Sequence, residues 1–254
     1  MVLPIGDDNS EVRSIAWVNF SIIALNVFVF VVFQQMGENN KFTYEFATVP
    51  KEIITGHDLV TPDRVVRDRE TGQQFQVPGL QPTPGSVYLT LLVSMFMHGG
   101  IAHIAGNMWF LFIFGDNVED DFGHFRYLVF YLLTGILASL AHVAMNASGP
   151  GAEVPSLGAS GAISGVMGAY LVLHPRNPVR VILVRVLTVV PAFVAVGMWF
   201  VFQVVSGMGL LGGGGESDGV AYAAHVGGFV AGMILAKPFS FGREIRPILP
   251  TYRG

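Results

Sequence analysis

The chain has 254 residues, of which 52% are apolar and only 13% charged, with 14 basic against 18 acidic side chains, a net charge of −4 and a mean hydropathy of +0.54. So few charges cannot cover a water-exposed globule, which usually carries about 25% charged residues, and so apolar a chain cannot stay disordered. The acidic balance gives no basic footprint for nucleic acid, and the absence of Cys excludes disulfides, thiolate metal sites and a Cys nucleophile.

In chain order, six windows lack Asp, Glu, Lys and Arg, and a membrane-spanning helix needs about 20 mostly apolar residues. They predict spans at roughly 15–35, 101–118, 126–146, 159–174, 184–206 and 219–237, an all-α polytopic bundle forming one membrane domain over residues 1–254. The first span follows Asp7, Asp8 and Glu11, the wrong charge for a signal peptide, and no small-residue cleavage pattern follows it, so it reads as a retained anchor.

Residues 36–100 form a long external or interfacial loop holding Lys41, Lys51, Arg64, Arg67 and Arg69 among seven acids. Within it, Val87 to Met97 is apolar but short, which suits an interfacial or re-entrant helix. Gly212 to Gly215 reads as a flexible turn before the last span. With both termini cytoplasmic, Arg13, Arg126, Arg176, Arg180, Arg185, Lys237, Arg243, Arg246 and Arg253 fall inside, the orientation favoured by the positive-inside rule.

Polar side chains inside spans are costly and mark function. His103 and Asn107 lie four apart on one face of the second span. The fourth opens with Gly158-Ala159-Ser160-Gly161 and continues through Ser164 and Gly165, and the sixth holds Ala224-His225 followed by Gly228 and Gly232. Ser in a membrane helix is often only a small packing residue, and a lone His or Asn only interhelical glue. Together they offer a nucleophile (Ser160), a general base (His225), and oxyanion donors from His103, Asn107 and the Ser160 amide. Gly158, Gly161, Gly165, Gly228 and Gly232 are read as structural, letting helices pack backbone to backbone. Glu119, Asp120 and Asp121 read as a solvated helix end, with Glu119 available to tie down a loop. His98, His124, His142 and His174 read as loop or interface residues. His98 and His103 lack a third ligand, so neither a metal site nor any cofactor is assigned.

This ordered set resembles the rhomboid family of intramembrane serine proteases: His103-x3-Asn107, Gly158-x-Ser160-Gly161 and Ala224-His225-x2-Gly228-x3-Gly232, each on its own span, with Gly115-x2-Val118-Glu119-x3-Gly123 after span two. The resemblance covers about residues 95 to 236. It implies a six-span bundle, a Ser160–His225 dyad without an Asp, and an oxyanion hole of His103, Asn107 and the Ser160 amide. Expected partners are transmembrane protein substrates in the lipid bilayer, with no metal, and the expected location is a bacterial inner membrane. One position departs: many members carry a Tyr four residues after the nucleophile, stacking on the base, where this chain has Ser164. Ser164 is therefore expected either to pack or to orient His225 by a hydrogen bond. Two other readings compete: a catalytically inactive rhomboid-like protein binding membrane clients, disfavoured by the complete residue set, and a small transporter, disfavoured because no inverted repeat or mid-span charge is present.

Overall fold

The computed structural model describes residues 2–67, 72, 74–183, 185–208 and 221–243. Arg69, Gly212 to Gly215, Arg246 and Arg253, and the first residues of the expected last span, lie outside them.

The expected apolar windows appear as helices with adjusted ends. Helix α1 (Trp17–Phe28) runs on through a π-helical turn, Val29–Phe33, close to the expected span. Two short helices, α2 (Asn40–Glu45) and α3 (Pro50–Thr55), follow, then a hairpin of β2 (Arg64–Arg67) and β3 (Gln74–Val77). A helical stretch over Val87–Phe96, with α4 (Thr90–Val93) at its centre, meets α5 (Ile101–Phe122) at a 78° bend. Gly100 separates the two.

Helices α6 (His124–Met145), α7 (Ser160–Leu173), α8 (Ala192–Gly207) and α9 (Tyr222–Ser240) complete the bundle. By length and hydropathy, α6 is the one described helix that alone meets the requirement for crossing a membrane. The bent pair Val87–Phe96 and Ile101–Phe122 meets it jointly, while Trp17–Phe33, α7 and α8 are apolar but shorter.

Two findings correct the all-α expectation. Residues 186–191, expected to start the fifth span, form strand β5 (Val186–Pro191), antiparallel to β4 (Pro178–Leu183), which pairs in turn with β1 (Val2–Asp7). Val186, Thr188, Val189 and Val190 are β-branched and suit a strand. Pro191 ends the ladder and caps α8. Apolarity alone does not separate such a strand from a helix. The segment 36–100 is also more ordered than a loop: it carries α2, α3, the β2–β3 hairpin and the helical stretch before α5.

Helix α7 sits at the centre, packed by α5, α6, α8 and α9, with Gly161 through Tyr170 all buried. Its contact with α9 is backbone on backbone. A Cβ on Gly228 would collide with the Gly161 carbonyl, one on Gly232 with the Gly165 carbonyl, and one on Gly168 with the Phe229 carbonyl. The glycine rows thus set the α7–α9 distance.

Candidate active site

The α7–α9 contact brings the first turns of both helices together. Ser160 opens α7, and His225 lies one turn into α9, its amide bonded to the Ala221 carbonyl. Ser160 Oγ and His225 Nε2 are 2.8 Å apart. As the first residue of α7, Ser160 presents an amide N–H with no carbonyl one turn back to accept it.

The approach to Ser160 is held from the preceding segment. Thr48 and Ser156 exchange backbone bonds of 2.9 and 2.8 Å, and the Gly158 amide donates to the Ser94 carbonyl at 2.9 Å. The Thr48 hydroxyl in turn lies 2.9 Å from both the Thr90 carbonyl and Ser94 Oγ. Residues from the 36–100 segment therefore buttress the chain entering α7. Gly158 has φ +126°, and a Cβ there would sit 2.9 Å from His103 Cε1 and 3.0 Å from Nε2. Both the backbone conformation and the imidazole edge exclude a side chain at this position.

His103 and Asn107 project from one face of α5 into a cavity of about 680 Å³, which Ser160, His225, His142 and Gln203 also line. The Gly99 amide donates to His103 Nδ1 at 3.2 Å, so this nitrogen carries the lone pair and Nε2 the hydrogen. Asn107 Nδ2 is buried without a partner among the described residues, a donor left over beside the cavity. Such orphaned amides are rare in native proteins and call for an explanation. Among the described residues no three His, Asp or Glu side chains converge as a metal site would require.

Ser164, expected either to pack or to orient the imidazole, directs its hydroxyl away from the ring. It donates to the Ser160 carbonyl at 2.6 Å, the i−4 back-bond common for Ser within helices. The second ring nitrogen of His225 instead meets Gln203 of α8, with Nδ1 2.8 Å from Oε1. Trp199 of α8 flanks the imidazole at a ring-centroid distance of 6.1 Å. Gln203 was not singled out from sequence, although it is an uncharged polar residue within an apolar window, the same signal that marks His103 and Asn107. His142, read from sequence as a loop or interface residue, lies on α6, buried, with Nε2 unpartnered among the described residues.

The acids after span two also differ from expectation. Glu119, Asp120 and Asp121 are buried, not solvated. Glu119 accepts from the Val18 and Asn19 amides at 2.9 and 2.6 Å and thereby caps α1, and it also meets His124. Asp120 takes the Ser14 amide and hydroxyl, and Asp121 pairs with buried His174 at 2.7 Å. A second buried cluster forms around Asp7 of β1, which accepts from Tyr170 Oη at 2.7 Å and Asn117 Nδ2 at 2.9 Å. Burial pushes the Asp7 carboxyl up to about 7, outweighing the Tyr170 hydroxyl that opposes it.

Residues 85–240 match the Rhomboid domain family. Among similar curated proteins, the chain is 32% identical over 161 residues to Rhomboid protease GluP of Bacillus subtilis, a match covering 61% of this chain and 28% of that protein. It is 30% identical over 169 residues to the mitochondrial presenilin-associated rhomboid-like protein of Mus musculus, covering 63% of this chain and 43% of the relative. It is also 30% identical over 170 residues to the chloroplastic Rhomboid-like protein 11 of Arabidopsis thaliana, covering 63% and 57%. The chain thus spans well under two thirds of the length of these relatives.

Proposed function

The chain belongs to the rhomboid family, and on that premise we propose that it is an intramembrane serine endopeptidase. The observation that carries this reading is the 2.8 Å contact between Ser160 Oγ and His225 Nε2, in a cavity that also holds the unpaired Asn107 amide. Ser160 Oγ attacks the scissile carbonyl while His225 Nε2 accepts the hydroxyl proton. The developing oxyanion takes hydrogen bonds from the Ser160 amide, His103 Nε2–H and Asn107 Nδ2–H. As the tetrahedral intermediate collapses, the C–N bond breaks and His225 returns the proton to the leaving amine. Water then hydrolyses the acyl-enzyme by the same relay.

In this reading the six apolar segments span the membrane with both termini cytoplasmic, and the location is a bacterial inner membrane. Helix α7 has 14 residues, and at 1.5 Å per residue it is about 21 Å long, short of a hydrocarbon core about 30 Å thick. A short helix beginning at Ser160 sets the nucleophile below one membrane surface, in reach of peptide bonds in or near transmembrane segments of substrate proteins.

The test is cleavage of a transmembrane substrate and labelling by a fluorophosphonate probe. The wild-type chain is expected to do both, and Ser160→Ala neither, since the change removes one oxygen and leaves folding intact. Labelling or cleavage by Ser160→Ala above about a tenth of the wild-type rate, a loss of 1.4 kcal/mol, would move the nucleophile elsewhere.

A further inference from the structure

A Ser–His pair needs one particular imidazole tautomer. The nitrogen facing the hydroxyl must hold the lone pair, so in the neutral ring the other nitrogen must hold the hydrogen. No carboxylate is bonded to the ring of His225 among the described residues, and Ser164 is engaged with its own helix. The groups around the ring are His103 of α5, His142 of α6, Ser160 of α7, Trp199 and Gln203 of α8, and Tyr222 of α9. Among the described residues, only Ser160 and Gln203 meet its nitrogens at hydrogen-bond distance.

Gln203 is buried, on a helix that otherwise carries no amide or charge. Burying an amide there is costly unless it is hydrogen-bonded. Its Oε1 lies 2.8 Å from His225 Nδ1. A carbonyl oxygen only accepts, so Nδ1 carries the hydrogen, and Nε2 is left with its lone pair toward Ser160 Oγ.

We infer that Gln203 is a positioning residue that fixes the productive tautomer and ring angle of His225, doing with a neutral amide what a buried carboxylate does in a Ser-His-Asp triad. The inference rests on the serine-protease reading. It also makes the state of the base depend on α8 remaining packed against α9.

The experiment uses the full chain, reconstituted, with three variants: Gln203→Met, Gln203→Glu and Ser160→Ala. Met matches the length of Gln without an acceptor. Glu keeps an oxygen where Oε1 stands. Gln203→Met is expected to lower kcat about ten-fold, the scale of one lost hydrogen bond, with KM changed less than about two-fold. Fluorophosphonate labelling of Ser160 should slow in parallel. Gln203→Glu is expected to keep most of the wild-type kcat. A purely structural Gln203 predicts the reverse order, because Met packs readily in an apolar helix and a buried carboxyl does not. Rates are taken per active site titrated with the probe, so a poorly folding variant is read on its folded fraction alone. Wild-type kcat in Gln203→Met, or an equal loss in both variants, overturns the positioning role. Cleavage and labelling that persist in Ser160→Ala overturn the serine-protease reading instead, and a dead Ser160→Ala beside a fully active Gln203→Met overturns the positioning role alone.

Discussion

The Gly161 carbonyl of α7 occupies the space that a Cβ on Gly228 of α9 would need. Three residues before Gly228 stands His225, and one before Gly161 stands Ser160, so this glycine contact sets the separation of the two side chains. Gly228→Ala must push the helices apart or strain them, and overpacking of this kind costs about 1–3 kcal/mol. Expected are a lower melting temperature in detergent and a fall in cleavage rate beyond what lost stability explains. An alanine variant with wild-type melting and wild-type rate would show that α9 can shift without disturbing the pair.

Asn107 and His103 make the second prediction. Removing one oxyanion donor costs roughly 10²–10³ in kcat in a soluble protease, and a ten-fold or greater loss is expected here for Asn107→Ala and for His103→Ala. Because Asn107 Nδ2 has no partner among the described residues, its removal should not destabilise the fold. Steady-state kinetics and thermal melting together check this. Wild-type rates in both variants would reduce these residues to interhelical contacts.

Ser164→Ala should do little. The Ser164 hydroxyl donates to the Ser160 carbonyl, not to His225, and Ser back-bonds of this kind contribute slightly at most to helix stability. The expected kcat lies within about two-fold of wild type, well inside the factor of ten that 1.4 kcal/mol represents. A loss comparable to that of His225→Ala would give Ser164 a part in the chemistry.

Asp7 gives a pH dependence of stability. Burial pushes its folded carboxyl up to about 7 from an ordinary value of 3.8. Between those values the folded state holds a proton that the unfolded chain has released, so stability falls as pH rises. The contribution is fully present below about pH 4 and lost as pH passes 7. Chemical-denaturant or thermal unfolding across this window should show the decline, and Asp7→Asn should make it shallower, the remainder belonging to groups such as Glu52 that burial also raises. An unchanged slope in Asp7→Asn would place the titration on another group.

The outline of this protein is written in local sequence. Uncharged windows locate five of the helices within a few residues where they are described, because avoiding charge is a property of each segment alone. His103 and Asn107 share a face by their spacing of four. Ser160 stands at a helix start beside Gly158, whose positive φ only glycine adopts readily. Contacts between segments were decided in three dimensions. Strand β5 replaced the start of an expected helix because β4 offered it a ladder, and a run of apolar β-branched residues serves either element. Glu119, Asp120 and Asp121 look solvated in a list of charges, yet the N-terminal segment folds over them and brings donors to two of them from about a hundred residues away. For the same reason Gln203, which had no role by sequence, stands at the imidazole nitrogen where a Ser164 hydrogen bond was one of two expectations. Their sequence positions say which turn each occupies, whereas the rotation of α8 against α9 determines which side chain reaches the ring of His225.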